Sequence, residues 1–73
     1  MVKIEIFTDF ITLGQFLKLA GLINNGGEAK FYLKNVDVLV SGEPENRRGR
    51  KLRAGDSVQI SGKKYQIVKK DEN

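Results

Sequence analysis

The chain has 73 residues and a net charge of +4, and it contains neither cysteine nor histidine. This composition excludes disulfides, thiolate zinc sites and histidine-based catalysis. The length favours a single domain with a modest core, and no apolar run approaches the roughly 20 residues that cross a bilayer. We therefore expect one domain over residues 1–70 and a frayed polar tail at 71–73, with no cofactor, bound metal, membrane partner or small-molecule substrate.

The positive charge lies in the second part of the chain. Residues 1–41 carry four basic and four acidic side chains, whereas residues 42–73 carry nine basic and five acidic. A basic region of this kind favours a polyanionic partner. A solubilising surface explains the charge alone equally well.

The first elements are predicted to be a strand and a short helix. Val2, Ile4 and Ile6 alternate with charged residues, as in a half-buried strand. Thr12, with Gln15 three positions later, is a capping-box pattern that marks a helix start. The helix has one apolar stripe, formed by Leu13, Phe16, Leu17 and Ala20. Gly14 inside it costs up to about 1 kcal/mol relative to Ala, which favours close approach by another group, with a simple loss of helix propensity as the alternative. Gly21 is a plausible stop.

A second helix is predicted from Glu28 to Asn35, after a sharp reversal at Asn25-Gly26-Gly27. Its apolar face comprises Ala29, Tyr32, Leu33 and Val36. Lys30 and Lys34 are four residues apart and share the opposite face. Backbone N–H groups at the helix start favour anions, so Gly26, Gly27 and Lys30 are candidate contacts. An ordinary interhelical turn is the alternative.

Several short strands complete an α+β order. The pattern predicts a strand over 36–40, a turn at 41–43, and an edge or loop position for Pro44. Further strands are predicted around Val58 to Ile60 and Tyr65 to Ile67, separated by a hairpin turn at Ser61-Gly62. Most of the six aromatic residues are expected to fill the core: Phe7, Phe10, Phe16, Phe31, Tyr32 and Tyr65.

The run Arg47-Arg48-Gly49-Arg50-Lys51-Leu52-Arg53 holds five basic residues and no acid. Arginine is suited to bidentate phosphate contacts, whereas a solvated loop is the simpler interpretation. Leu52 is expected to be a core anchor that turns its cationic neighbours outward, and Arg53 is expected to pair with Asp56. For catalysis, Glu43 and Glu45 make a poor site beside Pro44, and the serines lack a histidine base.

Five segments together resemble the RNA-binding domain first seen in ribosomal small-subunit protein four, here the S-four-like domain. They are Phe16-Leu17-Lys18-Leu19-Ala20, Gly26-Gly27-Glu28-Ala29-Lys30, Val36-Asp37-Val38-Leu39-Val40-Ser41-Gly42, Arg47-Arg48-Gly49-Arg50-Lys51-Leu52 and Gly55-Asp56-Ser57-Val58. The pattern over 11–18 and 46–52 is similar to the stand-alone bacterial proteins of the YaaA and YbcJ type. Many members begin the first helix with Arg-Leu-Asp and a basic residue, whereas this chain has Thr12-Leu13-Gly14-Gln15.

The resemblance implies an alpha-L RNA-binding motif, in which two short antiparallel helices pack on a small, mainly antiparallel sheet and the N-terminal strand joins the C-terminal strands. It implies a cytoplasmic, monomeric, non-enzymatic protein that binds structured RNA, such as ribosomal RNA or a ribosome-assembly intermediate. The implied contact residues are Gln15, Lys18, Gly26, Gly27, Lys30, Lys34, Arg47, Arg48, Arg50, Lys51 and Arg53. Lys18, Lys30 and Lys34 would form one side of the surface and the basic run the other.

Two other interpretations remain open at this point. The basic surface could dock an acidic protein partner, which would make the chain an adaptor. It could also bind duplex DNA, since phosphate contacts alone do not distinguish the two nucleic acids.

Overall fold

The computed structural model describes residues 1–70, and the predicted tail at 71–73 lies outside the described residues. Its elements, in chain order, are β1 (Val2–Ile6), β2 (Ile11–Thr12), α1 (Leu13–Leu19), a 3₁₀ helix (Gly26–Glu28), α2 (Ala29–Asn35), β3 (Val38–Val40), β4 (Glu43–Pro44), β5 (Lys51–Leu52), β6 (Ser57–Ile60) and β7 (Lys63–Lys69). None of the helices in this described part is long and apolar enough to cross a bilayer.

Five strands form one sheet in the order β1-β7-β6-β3-β4. The N-terminal strand β1 pairs in parallel with the C-terminal strand β7, with Ile4 opposite Ile67, and the other three pairings are antiparallel. The short strands β2 and β5 form a separate antiparallel ladder. The predicted α+β class, the mainly antiparallel sheet and the joining of the N-terminal strand to the C-terminal strands are confirmed.

Both helices bury one face in a core that they share with the sheet. Leu13, Phe16 and Leu17 of α1 are completely buried, and the Phe16 ring meets the ring of Tyr65 on β7 edge-to-face, with centroids 5.2 Å apart. From α2, Ala29 and Leu33 enter the same core. The helical stripes predicted from the sequence therefore face the sheet.

The start of α1 has the predicted capping box. The Thr12 hydroxyl accepts a hydrogen bond from the Gln15 N–H at 3.2 Å, and the Gln15 side-chain oxygen accepts one from the Thr12 N–H at 2.8 Å. The helix ends at Leu19 with Ala20 as its C-cap, and Gly21 follows with a φ of +76°, a conformation that favours glycine.

Two predicted boundaries differ from the structure by one or two residues. Residues 26–28 form a 3₁₀ helix, and α2 begins at Ala29 rather than at Glu28. The third strand begins at Val38 rather than at Val36, because the Val36 N–H still bonds the Tyr32 carbonyl at 2.9 Å and so completes the helix.

The connections between the later strands agree with the sequence. Ser41-Gly42 and Ser61-Gly62 each have positive φ at both residues, which is the geometry of a tight type I′ hairpin turn. Pro44 lies in β4 at the edge of the five-stranded sheet, where the missing N–H of proline is tolerated.

The prediction for the aromatic residues failed at Phe7, Phe10 and Phe31, which are 65%, 37% and 73% exposed. Phe7 and Phe10 lie in the loop between β1 and β2, outside the strand register. Phe31 is two residues from both Ala29 and Leu33, so it projects away from the buried face of α2.

Candidate nucleic-acid interface

The basic segment, residues 45–53, is held against the start of α1 by backbone hydrogen bonds. The N–H of Leu13 donates to the Arg50 carbonyl at 2.8 Å, and the N–H of Gly14 donates to the Arg48 carbonyl at 2.9 Å. Together with the capping box, these bonds occupy the backbone donors that a helix start normally leaves free. The start of α1 thus positions the basic segment and has no free donors for an anion.

The strand β5 fixes which side chains of the basic segment face outward. Leu52 is fully buried and pairs with Ile11 on β2, as the prediction of a core anchor requires. Lys51, opposite Thr12, is exposed. Because neighbouring residues of a strand point to opposite faces, burial of Leu52 directs Lys51 into solvent.

Glu45 orders the basic segment through ion pairs with two arginines, a role that was not predicted from the sequence. Its side chain is only 7% exposed. The carboxylate accepts hydrogen bonds from Arg47 Nε at 3.0 Å and Arg50 Nη1 at 3.0 Å, and from the backbone N–H groups of Asn46 and Arg47. The Glu45 N–H bonds the Val38 carbonyl at 2.9 Å, which fixes this acid at the sheet edge. Its position two residues before a basic run was the available signal.

These contacts change the ionisation of the pair. Hydrogen bonding from the Arg47 side chain, opposed by burial and assisted by the Arg47 backbone and by Arg50, lowers the pKa of Glu45 from 4.5 to about 2. The same carboxylate raises the pKa of Arg47. Glu45 therefore remains ionised at neutral pH and neutralises part of the charge of two arginines.

The cations of the basic segment fall into two groups. Arg47 and Arg50 are ion-paired with Glu45. Within residues 1–70, no ion pair involves Arg48, Lys51 or Arg53. These three side chains are the cations of the segment that have no acidic partner among the described residues, whereas Arg47 and Arg50 share one carboxylate.

Lys18 and Arg48 line one shallow groove, the Lys18–Arg48 groove, together with Gln15, Gly26 and Gly49. Residues from α1, the 3₁₀ helix and the basic segment thus meet at one place. Lys18 and Arg48 are both exposed. The groove combines two cations with the amide of Gln15, a set that suits phosphate contact.

Other predicted contact residues lie elsewhere. Lys34 lines a different cleft, beside Asp37 and Pro44. Gly27 lies in a depression next to Phe31, and Lys30 is exposed on α2. Of the three lysines predicted to share one side of the surface, Lys18 is the one that lines the groove with Arg48.

The interhelical turn contains an acid where an anion contact was predicted. The Glu28 carboxylate accepts hydrogen bonds from the Asn24 N–H at 3.4 Å and from the Asn25 side-chain amide at 3.1 Å. The negative charge orders the turn and opposes phosphate binding there.

Arg53 does not pair with Asp56 through its guanidinium. The Asp56 carboxylate accepts a bond from the Arg53 backbone N–H at 2.8 Å. The guanidinium lies over the Phe10 ring, 5.4 Å from its centroid.

In the described part of the chain, no group of three or more acidic residues comes together to hold a metal ion.

The sequence matches a known family over most of its length. The model of the S4 domain matches residues 4–68. The chain belongs to the S4 domain family. It is also similar to a protein of Bacillus subtilis (strain 168) named probable ribosome maturation protein RlbA, with 58% identity over 66 residues. That match covers 89% of this chain and 93% of the relative.

The first helix of this S4 domain has Gly14 near its start, where many members have an acidic residue, and the structure shows what lies beside this glycine. A Cβ at Gly14 would lie 3.5 Å from both the Ala29 Cβ and the Arg48 carbonyl oxygen. The close approach predicted from Gly14 is therefore made by α2 and the basic segment. A methyl group fits in ordinary van der Waals contact, whereas a longer side chain would push the two segments apart.

Proposed function

We propose that this S4 domain is a non-enzymatic, cytoplasmic protein that binds structured RNA as a monomer. Ribosomal RNA, or an intermediate of ribosome assembly, is the proposed target, and the name of the Bacillus subtilis relative, a probable ribosome maturation protein, supports this choice. The observation that carries the proposal is the Lys18–Arg48 groove, in which exposed cations from two elements meet. Their spacing is fixed by the backbone bonds between α1 and the basic segment.

Recognition would rest on the shape and backbone of the RNA. The groove offers Lys18, Arg48 and Gln15, which suit phosphate and sugar contacts. A-form RNA is read largely by such contacts, since its deep major groove excludes side chains. The preorganised basic segment lowers the entropy cost of binding.

The test is binding to overlapping ribosomal RNA transcripts at a series of salt concentrations. Each phosphate contact releases counterions, so affinity should fall linearly on a log–log plot. The double variant Lys18→Ala/Arg48→Ala should lower affinity and flatten that slope by about 1–2. The charge-matched control is Lys3→Ala/Lys64→Ala, which removes two exposed lysines outside the groove.

Three results would overturn the proposal. These are affinity that does not respond to salt, equal losses in the two double variants, or equal competition by duplex DNA of the same length. Purification from nuclease-treated cells adds a further criterion, because an acidic protein retained after RNA removal would favour an adaptor.

A further inference from the structure

Two exposed phenylalanines, Phe7 and Phe10, lie in the loop between β1 and β2. They are 65% and 37% exposed. An exposed aromatic ring leaves apolar area in water that burial would otherwise stabilise. Neighbouring exposures of this kind mark interaction surfaces more often than isolated ones do.

The loop that carries these rings is held in place. The Thr8 hydroxyl donates a hydrogen bond to the Phe10 carbonyl at 2.6 Å, and the Asp9 carboxylate accepts one from Lys69 Nζ at 2.9 Å. The strands β1 and β2 fix its two ends. A ring presented on such a loop requires little ordering when a ligand binds.

Cations from the basic segment lie against the Phe10 ring. Lys51 Nζ is 4.9 Å and the Arg53 guanidinium 5.4 Å from its centroid. These are two of the three cations of the segment that are not paired with Glu45. An exposed ring with adjacent free cations is the combination that binds single-stranded nucleotides, with the base stacked on the ring and the phosphate beside the cation.

We infer that Phe10, Lys51 and Arg53 form a stacking site for one unpaired nucleotide that adjoins the structured RNA. This inference rests on the proposed RNA-binding function. The site is continuous with the basic segment through Lys51, and its positive charge complements a phosphate. Exposed cation–π contacts are weaker than base stacking, so the cations can leave the ring for the phosphate. Stacking accepts any base, so the site contributes affinity without reading sequence.

The experiment uses three RNAs: a blunt hairpin, the same hairpin with a short single-stranded overhang, and the overhang hairpin with abasic residues. A fluorescent aminopurine in the overhang reports stacking by quenching. The native protein should bind the overhang RNA at least ~5-fold more tightly than the abasic RNA, which is the lower end of what one stacked base contributes. Phe10→Leu should abolish that ratio and the quenching, and Phe10→Tyr should retain both.

Phe31→Leu is the matched control, because Phe31 is also exposed but lies on α2. It should keep the native ratio. If the native protein binds the hairpin but shows an overhang-to-abasic affinity ratio near one, the stacking site is overturned. A ratio that Phe10→Leu leaves unchanged would overturn it as well. Loss of all hairpin binding in the native protein would overturn the proposed function as well. An acidic peptide that displaces the overhang from Phe10, seen as recovery of the aminopurine fluorescence, would assign the ring to a protein partner.

Discussion

The basic segment, residues 45–53, and the interhelical turn, residues 24–28, each contain one glutamate beside residues that were predicted to contact anions. The Glu45 side chain is only 7% exposed and binds two arginines. Glu28 instead bonds the backbone of Asn24 and the amide of Asn25. After these contacts the segment retains free cations at Arg48, Lys51 and Arg53, whereas the turn presents a carboxylate.

The difference shows that the number of charges in a stretch of sequence is a poor measure of the charge it can offer. The ion pairs of Glu45 with Arg47 and Arg50 order the loop. This order fixes where Arg48 and Lys51 project. A cation that is paired within the protein must exchange its partner before it can bind phosphate, and part of the Coulomb energy is lost in the exchange.

The largest expected effect that tests this comparison is on stability. Glu45→Gln should lower the free energy of unfolding by about 1–3 kcal/mol, because it removes the charge from a buried acceptor of several hydrogen bonds. Glu28→Gln should cost less, since its bonds are longer and exposed. Urea denaturation of both variants measures the difference, with the exposed Glu43→Gln as control. Equal losses for the variants at 28 and 45 would show that the two acids act alike.

Glu45 also predicts a pH dependence of stability. Its pKa falls from 4.5 to about 2 on folding, so the unfolded chain binds the proton more readily. The contribution of Glu45 is complete above about pH 4.5 and is lost as the pH falls through about 2. The unfolding midpoint of the native protein should decline across this interval more steeply than that of Glu45→Gln. Parallel curves would exclude Glu45 as the source.

An intermediate effect is expected on RNA affinity. Arg48→Ala should weaken binding by about 5- to 10-fold, which is the loss of one charged contact of roughly 1 kcal/mol. Arg47→Ala should weaken it less, since Glu45 already holds that guanidinium. Filter binding or fluorescence anisotropy at a single salt concentration measures both. The reverse order would mean that RNA draws Arg47 away from Glu45 at little cost.

The smallest effect is expected at Gly14. Gly14→Ala should raise stability by about 0.5–1 kcal/mol, because alanine has the higher helix propensity and its methyl group fits at 3.5 Å from its neighbours. Gly14→Leu should lower stability and weaken RNA binding by displacing the basic segment. Thermal unfolding measures the stability of the native protein, Gly14→Ala and Gly14→Leu. A destabilising Gly14→Ala would show that this contact tolerates no added atom.

The elements were largely predictable because they depend on local chemistry. The capping box at Thr12 and Gln15, the apolar stripe of α1 and the two Ser-Gly turns are each decided within a few residues. The boundary at Val36 was not predictable in this way, since alternating valines suit a strand and the helical bond from Val36 to Tyr32 competes with that pattern.

The candidate site was less predictable because its geometry is set by contacts distant in sequence. The hydrogen bonds from Leu13 and Gly14 to the basic segment join the first turn of α1 to residues that follow α2 in the chain. The role of Glu45 depends on the low exposure of its side chain, which the sequence does not show. The exposure of Phe10 depends on the position of its loop between β1 and β2, outside the paired strands. The separation of Lys34 from Lys18 depends on where the helices end.

The parallel pairing of β1 with β7 also has a consequence for the order of folding. Val2 lies opposite Tyr65, so the first strand finds its partner in the last described strand. Contacts between such distant residues carry a large loop-closure cost and slow the search for the native topology. During synthesis, β1 cannot complete its place in the sheet before β7 has been made. The domain is therefore expected to finish folding late, as one cooperative unit, with its apolar β1 residues unprotected until then.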